Sequence, residues 1–500
     1  MILSRRSSGI LLHISSLPSP FGIGDLGSGA FHFADILSKS SQRAWQILPM
    51  TPTDQSSGNS PYSSVSLMAG NTLFISPELL HRDGLLSNEN LRDSPKFSNK
   101  NVDYSAVHTF KNHLFDIAFQ NFLTQGEYDE EYEQFCGDNA SWLDDYALFT
   151  ALKKHFGGVG WWDWGESLRK REQIALTIAT AVHSEAIERE KFLQYQFFKQ
   201  WSALKQHCNS LNIRIIGDAP IYCSHDSADV WANHTLFHLN PAGQPVSVAG
   251  VPPDYFSPKG QRWGNPIYNW DELKKTGYDW WIKRLHHNFT IYDAVRIDHF
   301  RGLVAYWEIP AKEKTAINGR WQEAPAEDFL TTLTKFFSHF PVIAEDLGII
   351  TPDVKHIMEQ FSLPGMKVLQ FAFGDSQDNP YLPHNYTPHS VVYSGTHDNN
   401  STLGWYRKEA DTSVKASVAE YLGKKVTEKS ISFDFIRLAL GSVSRLTIIP
   451  LQDVLGLGEE SRMNKPSVAK GNWQWRVEES TLNKQRTEQL RHLTELFGRA

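Results

Sequence analysis

Cysteine is scarce in this chain. Three cysteines, Cys136, Cys208 and Cys223, stand among 500 residues. Their odd number and wide spacing exclude a disulfide framework and match no zinc-ligand pattern. We therefore expect a protein of a reducing compartment, the cytoplasm, without a bound metal ion.

Long apolar runs and an excess of positive charge are also lacking. No stretch approaches the roughly 20 apolar residues that span a membrane. The run at 9–14 is too short for a secretory signal and is interrupted by His13, so it is better explained as a β-strand. The formal net charge of -7 disfavours a nucleic-acid partner, because phosphate binding requires a basic face. We expect neither a membrane nor a nucleic acid as partner, and the sequence identifies no protein partner.

Aromatic residues, in contrast, are abundant. The chain contains 16 Trp, 17 Tyr and 29 Phe. Aromatic rings stack on the apolar faces of sugars, so such a composition is typical of carbohydrate enzymes. A large core rich in aromatic rings would give the same numbers. Composition alone does not separate these two explanations.

Acidic residues recur where apolar runs end. Asp218, Asp298, Glu345 and Asp398 each follow a short β-rich run. In barrels and open α/β sheets, catalytic groups gather at the carboxyl ends of strands. One such acid is commonplace, but four of them predict a shared site.

The run that ends at Asp298 carries an arginine two residues earlier. Side chains alternate across a strand, so Arg296 and Asp298 are expected on the same face. An arginine beside a carboxylate favours its charged form, which is the form a nucleophile needs. A buried ion pair that only joins two strands would show the same pattern.

The apolar runs and the segments between them predict the fold. We expect eight strands, at 9–14, 44–49, 213–216, 294–297, 342–344, 366–371, 391–394 and 446–449. Helical spacing predicts helices at 30–37, 325–339, 352–361, 413–421, 433–442 and 479–496. This alternation predicts an α/β fold, a (β/α)8 TIM barrel. No β-rich tail follows the eighth strand, so no C-terminal β-sandwich is expected.

Two insertions are expected within one catalytic domain that spans 1–500. Residues 77–210 predict a mostly helical insertion between the second and third strands. Residues 226–270 predict an aromatic loop insertion between the third and fourth strands, too long for an ordinary βα connection. Its Tyr255, Phe256 and Trp263 are candidates for a lid or for sugar stacking. An aromatic plug that seals the insertion is the competing explanation.

Short motifs in chain order resemble one known family. They are Ser8-Gly-Ile-Leu-Leu-His13, Gly58-Asn-Ser-Pro-Tyr-Ser63, Gly217-Asp-Ala-Pro-Ile221, Ala249-Gly-Val-Pro-Pro-Asp-Tyr-Phe256, Gln261-Arg-Trp-Gly-Asn-Pro266, Arg296-Ile-Asp-His-Phe-Arg-Gly302, Ala344-Glu-Asp-Leu-Gly348, Gly395-Thr-His-Asp-Asn399 and Arg462-Met-Asn464. Together they resemble the 4-α-glucanotransferases of glycoside hydrolase family 77, in the α-amylase clan. The resemblance runs nearly end to end and implies transfer of α-1,4-glucan segments from a maltodextrin to an acceptor glucan.

The resemblance also implies roles for individual residues. Asp298 resembles the nucleophile that forms a covalent glucosyl-enzyme intermediate, Glu345 the general acid/base, and Asp398 the third acid, which binds sugar hydroxyls. The residues that it implies in substrate binding are Tyr62, Asp218, Tyr255, Phe256, Trp263, Arg296, Asp375, His397, Asn464 and Pro466. Ser467 and the segment Phe373-Gly374-Asp375 depart from the family pattern, so the resemblance does not fix acceptor preference, product length or transfer efficiency. No cofactor is implied.

The chemistry of retaining glycosidases agrees with these roles. It requires two carboxyls about 5–5.5 Å apart, one ionised and one that holds a proton near neutral pH. Burial and the nearby acids Asp298 and Asp346 are expected to raise the pKa of Glu345.

Three rival functions use the same residues differently. A hydrolase of the same clan would share the three acids and differ only in acceptor handling. An inactive glucan-binding barrel is the second rival, although the intact acids argue against it. The third rival is a sugar phosphorylase. It requires a basic pocket that binds phosphate, and the sequence does not identify one.

Overall fold

Eight parallel strands form the centre of the protein. The computed structural model describes residues 4–124, 130–253, 257–374, 376–466, 468 and 470–500. The parallel strands, numbered together with those of a second sheet, are β1 (Ser7–Leu11), β2 (Ala44–Gln46), β3 (Arg214–Ala219), β6 (Ala294–Ile297), β9 (Val342–Ala344), β10 (Gly365–Val368), β11 (Ser390–Tyr393) and β12 (Leu446–Pro450). Their order across the sheet is β10-β11-β12-β1-β2-β3-β6-β9.

The two end strands of this sheet meet and close the barrel. The backbone N–H of Ala344, in β9, donates to the carbonyl of Pro364, which precedes β10, over 3.0 Å. All eight predicted strands are present, and those at 294–297 and 342–344 have the predicted bounds. The structure therefore confirms the predicted α/β class and TIM barrel.

Helices surround the barrel and fill its longer connections. They are α1 (Ser28–Lys39), α2 (Pro77–Arg82), α3 (Asn88–Arg92), α4 (Tyr104–Thr124), α5 (Glu130–His155), α6 (Glu166–Arg169), α7 (Gln173–Val182), α8 (Ser184–Ser210), α9 (Ala228–Ala232), α10 (Trp270–Lys275), α11 (Asp279–Ile291), α12 (Ala326–Phe336), α13 (Pro352–Gln360), α14 (Thr402–Lys408), α15 (Thr412–Leu422), α16 (Ile431–Gly441), α17 (Leu451–Leu455) and α18 (Lys484–Leu496). None of those formed by the described residues combines the length and apolarity that a membrane-spanning helix requires.

Local sequence explains where several helices lie and begin. Helix α1 buries Phe33, Ala34 and Leu37 on one face, as its spacing predicts. Helix α18 begins at Lys484, five residues later than predicted, because the side chain of Asn483 caps it and accepts from the backbone N–H of Arg486.

A four-stranded antiparallel sheet interrupts the barrel connections, and the sequence did not predict it. Its strands are β4 (Ser247–Val251), β5 (Gln261–Pro266), β7 (Ala305–Pro310) and β8 (Arg320–Glu323), in the order β5-β4-β7-β8. Strands β4 and β5 lie within the segment predicted as a loop. The edge strands β5 and β8 are polar, β5 is only partly buried and β8 is mostly exposed, so they lack the apolar runs that identify the barrel strands.

Candidate active site

Strand register brings the first charged pair together. Asp218 of β3 and Arg296 of β6 are register partners on neighbouring strands. One guanidinium nitrogen of Arg296 donates to both carboxylate oxygens of Asp218, each over 2.8 Å. Both side chains are almost completely buried. A buried carboxylate is stable only with such charged partners, so this pair fixes the centre of the barrel mouth.

Arg296 also binds the second acid on its own strand. Its other terminal nitrogen donates to Asp298 over 2.9 Å, as the spacing of two residues predicts. Burial opposes the charge of Arg296, but the carboxylates of Asp218 and Asp298 outweigh it and raise the pKa of the guanidinium above its usual range. A permanent cation therefore lies between two acids, one buried and one, Asp298, about a third exposed toward solvent.

Glu345 lies beside Asp298 because their strands are in register. Ile297 of β6 pairs with Ala344 of β9, and each acid is the next residue along its strand. Adjacent strands lie about 4.8 Å apart, so the two carboxyls leave neighbouring points of the backbone. The carboxyl oxygens of Glu345 accept from the backbone N–H groups of His299, over 2.7 Å, and Leu347, over 2.9 Å.

The environment of Glu345 keeps a proton on it. Burial is the largest effect and, with the charge of Asp298, it raises the pKa of Glu345 to about 8, against the opposing effects of Arg296 and the two backbone donors. The neighbouring Asp346 was expected to contribute to this shift. Instead, its carboxyl accepts from the backbone N–H of Met366 over 2.6 Å.

The third predicted acid lies on a loop. Asp398 accepts from the side-chain amide of Asn464 over 2.6 Å and lies 3.4 Å from the ring nitrogen of His397. Arg462 donates to the backbone carbonyls of Asp398 and Asn464, over 2.6 and 2.8 Å. The side chain of Asp398 is 45% exposed. The loops after β11 and β12 thus hold one another, and Asp398 is accessible from solvent.

A stack of rings closes another side of the cluster. The Tyr62 hydroxyl donates to Asp218 over 2.8 Å, and its ring stacks on His397 with centroids 5.2 Å apart. Trp473 lies 5.9 Å from Tyr62 and 6.0 Å from His397. Tyr62 therefore links the strand-held acids to the loop that carries Asp398.

Trp263, on β5, lies on the side of Glu345. Its ring contacts His299 edge-to-face at 4.7 Å and is 38% exposed. His299 has a left-handed backbone, with φ of 51°, which turns the chain sharply after Asp298. This turn aims the backbone N–H of His299 at Glu345.

Of the remaining predicted residues, the structure describes Pro466 alone and does not bring it into this cluster. Pro466 is exposed and lies on a turn. The backbone N–H of its neighbour, Lys465, donates to the side-chain oxygen of Asn472 over 3.0 Å. Tyr255, Phe256 and Asp375 lie outside the described residues. Among the residues that are described, no group of three or more His, Cys, Asp or Glu side chains is arranged to hold a metal ion.

Three residues of the cluster had no predicted role. His299 follows Asp298 directly, and Arg462 stands in a motif with Asn464, so position in those motifs was an available signal. Trp473 follows the predicted arm and had no signal in the sequence. Its packing depends on the path of the loop after β12.

The arrangement defines a class of protein. A carboxylate bound to arginine and a protonated carboxyl stand side by side at the carboxyl end of an eight-stranded barrel. This combination is typical of barrel enzymes that break and remake glycosidic bonds with retention of configuration.

Comparison with known proteins narrows the class. A family model described as 4-alpha-glucanotransferase matches residues 12–482. The 4-alpha-glucanotransferases of Synechocystis and Thermus thermophilus are 47% and 46% identical, over 100% and 99% of this chain and 99% of each relative. An amylomaltase structure from Streptococcus agalactiae, in complex with acarbose, has a TM-score of 0.96 and 39% identity, with 99% of this chain and 100% of that chain covered. The chain belongs to the 4-alpha-glucanotransferase family, glycoside hydrolase family 77.

Proposed function

We propose that this protein transfers segments of α-1,4-glucan from a donor maltodextrin to the 4-hydroxyl of an acceptor glucan or glucose. The observation that carries the proposal is the pair Asp298 and Glu345, adjacent on neighbouring strands, with Arg296 bound to one and a raised pKa on the other. Family membership supports the same activity. The acarbose bound by the Streptococcus agalactiae neighbour supports a glucan-like substrate.

In the first half-reaction, Asp298 is the nucleophile. A carboxylate oxygen of Asp298 forms a bond to C1 of the donor sugar while the bond from C1 to the departing O4 breaks. Glu345 gives its proton to that oxygen, so the departing glucan leaves with a free 4-hydroxyl. The raised pKa of Glu345 supports this step, because the acid is still protonated near neutral pH.

In the second half-reaction, the roles of Glu345 reverse. Now ionised, it accepts the proton of the acceptor 4-hydroxyl as that oxygen attacks C1, and the bond to Asp298 breaks. Transfer requires that the acceptor outcompete water. The half-exposed ring of Trp263, beside His299 and near Glu345, supports an acceptor subsite there, because a bound sugar excludes water from the intermediate.

We propose substrate-binding roles for the residues around the pair. Asp398, with Asn464, binds hydroxyls of the sugar at the cleavage point, because it is the most exposed acid of the cluster. Tyr62 and His397 form a wall for the same sugar, and Asp218 and Arg296 hold the nucleophile. Roles in neighbouring subsites are proposed, from the family resemblance alone, for Tyr255, Phe256, Asp375 and Pro466.

We further propose that 1–500 act as one catalytic domain. Residues 77–210 would be its helical insertion and 226–270 the insertion that shapes the cleft. The helices α2 to α8 and the position of Trp263 on β5 support this division. The three cysteines form no disulfide bond, which supports a cytoplasmic location for the protein.

Incubation with maltotriose alone tests the activity. The products are followed by chromatography together with the number of reducing ends. We expect a ladder of longer maltodextrins with glucose and a constant number of reducing ends. Glucose and maltose alone, with reducing ends rising steadily, would establish a hydrolase instead. No reaction with either maltotriose or longer donors would point to a glucan-binding protein.

A further inference from the structure

A cavity lies at the opposite end of the barrel from the acids. It has a volume of about 850 Å³ and is open to solvent. Residues at the amino ends of β2, β3, β6 and β9 line it: Arg43, Arg214, Asp293 and Pro341. Arg214 begins β3 and Asp218 lies four residues further along, so about 13 Å separates this cavity from the proposed active site.

The residues that line the cavity are mostly positive among those that carry charge, although the net charge of the chain is -7. Arg5, Arg43, Lys205 and Arg214 line it, together with His286 and His339. Asp293 is the one acid among the described lining residues. Its carboxylate accepts from the backbone N–H of Ile215 over 2.8 Å and from Arg214 over 3.3 Å. One carboxylate cannot neutralise three arginines and a lysine.

Two of these cations, Arg43 and Lys205, lack a negatively charged partner among the described residues. Within the described residues, the side chain of Arg43 makes neither a hydrogen bond nor an ion pair, although its Nε is buried. Lys205 donates to the carbonyl of Thr290 over 2.6 Å, which supplies no negative charge. Burial lowers the pKa of Lys205, and the charge of Arg214 lowers it further, while Asp293 opposes both. Like charges held close together in a concave site favour a bound anion.

A second wall of the cavity is aromatic. Phe289, Phe336 and Phe337 line it, and their rings form edge-to-face pairs at 5.0 and 5.1 Å. Phe336 is 58% exposed. An exposed ring of this size in a cavity offers a surface for a flat or apolar group, which inorganic phosphate does not have.

We infer that this cavity binds a small phosphorylated molecule with a flat group, of the nucleoside phosphate class. The phosphates lie against Arg43, Lys205 and Arg214, and the flat group packs on Phe336. Guanidinium groups bind phosphate oxygens through two parallel hydrogen bonds, which explains the preference for arginine at two of the three positions.

Calorimetric titration of the full-length protein with ADP tests this site, with pyrophosphate and adenosine as partial ligands. We expect ADP to bind more tightly than pyrophosphate, and adenosine to bind weakly or not at all. Arg43→Gln combined with Arg214→Gln should weaken ADP binding about 100-fold, since each charged hydrogen bond contributes roughly tenfold. Phe336→Ser should weaken ADP binding and leave pyrophosphate binding unchanged.

Two control variants and a measurement of folding separate this site from others. Arg92→Gln removes an exposed charge that does not line the cavity and should leave ADP binding unchanged. Asp298→Asn should also leave it unchanged, which excludes binding at the proposed active site. The thermal midpoint of each variant without ligand shows whether it is folded. If Arg43→Gln does not fold, Arg214→Gln alone serves, because that side chain is 57% exposed.

Several results would overturn the inference. They are absence of binding by both ADP and pyrophosphate at millimolar concentration, unchanged ADP affinity in the double variant, and adenosine that binds as tightly as ADP. Competition by a short RNA that binds more tightly than ADP would assign the cavity to a nucleic acid instead.

Discussion

The two halves of the candidate active site are built in different ways. On one side, Asp218, Arg296, Asp298 and Glu345 stand on strands or directly after them, and barrel register sets their neighbours. On the other side, Asp398 lies five residues beyond the last residue of β11 and is held by loop contacts. The side chains of Asp218 and Arg296 are at most 4% exposed, whereas that of Asp398 is 45% exposed.

This difference suggests a division of labour. Charges fixed by a rigid sheet suit bond breaking, because their orientation needs no adjustment during the reaction. A solvent-accessible acid on loops suits the recognition of sugar hydroxyls in chains of varied length. Substitutions in the strand-held half should therefore abolish chemistry, and those in the loop-held half should weaken binding.

The largest expected effect is that of Asp298→Asn. Without a nucleophile no covalent intermediate forms, so transfer and hydrolysis should both fall about 10⁴-fold or more. Maltotriose conversion and the release of reducing ends measure the two activities. Asp293→Asn, at the opposite end of the same strand, is the matched control and should stay active. Retention of more than a tenth of the activity by Asp298→Asn would reject the assignment.

Glu345→Gln should be next in size and should depend on the donor. Loss of the proton donor should slow reaction of maltodextrins about 10²–10⁴-fold. A glucosyl fluoride donor needs no proton on its leaving group, so its first half-reaction should be slowed much less. Asp346→Asn, next in sequence but bonded to the backbone of Met366, is the control and should keep turnover. Equal loss on both donors would count against an acid role.

Much of the strand-held half could be predicted from sequence. The runs at 294–297 and 342–344 are fully buried, so apolar residues mark both their ends, and an acid follows each. The spacing of Arg296 and Asp298 placed both on one face. The contact of Arg296 with both carboxylate oxygens of Asp218 could not be predicted, because it depends on register between strands whose partners stand 78 residues apart.

The loop-held half and the second sheet were harder to predict, for the same physical reason. Trp473 reaches Tyr62 and His397 through a loop that has no periodic pattern. Strand β4 pairs with β7 through residues about 60 positions away, and its other neighbour, β5, is polar and only partly buried. Local composition does not encode such pairings. The roles of the site residues were predicted from motifs and stay predictions.

The buried pair should affect stability more than the exposed acid does. Asp218→Asn removes the partner of a buried arginine and should destabilise the fold by about 3–5 kcal/mol. Asp398→Asn changes an exposed carboxylate and should cost less than about 1 kcal/mol. Denaturant unfolding of both variants at pH 7 measures the two values. Equal losses would show that the halves do not differ in rigidity.

A smaller effect is expected for Asn464→Ala. It removes the amide that donates to Asp398 over 2.6 Å, and because Asp398 is 45% exposed the loss should be only about tenfold in kcat/KM, the low end for a charged hydrogen bond. The loss should lie mainly in KM for short maltodextrins, if this half serves recognition. Asn472→Ala, which alters the same arm without contact to Asp398, is the control. A loss confined to kcat would assign Asn464 to the chemical step.

The smallest expected effect is that of pH on kcat/KM, and it separates the strand-held half from the loop-held half most clearly. Glu345 has a pKa of about 8 in the folded protein, above the ordinary value for glutamate, so it holds the proton below pH 8 and loses it above. kcat/KM should therefore fall about tenfold per pH unit above this value. Asn464→Ala should lower the whole profile without moving its alkaline limb, whereas Arg296→Met should shift that limb to higher pH, because the cation opposes protonation of Glu345.

Glu345 also makes the fold less stable as pH rises from the ordinary glutamate range to about 8, since the folded state binds a proton that the unfolded state has lost. Glu345→Gln should make that slope shallower in unfolding experiments, while Asp229 and Asp346, whose pKa values burial raises to about 6, keep their share of it at lower pH. An alkaline limb that persists in Glu345→Gln with the fluoride donor would mean that another group controls it.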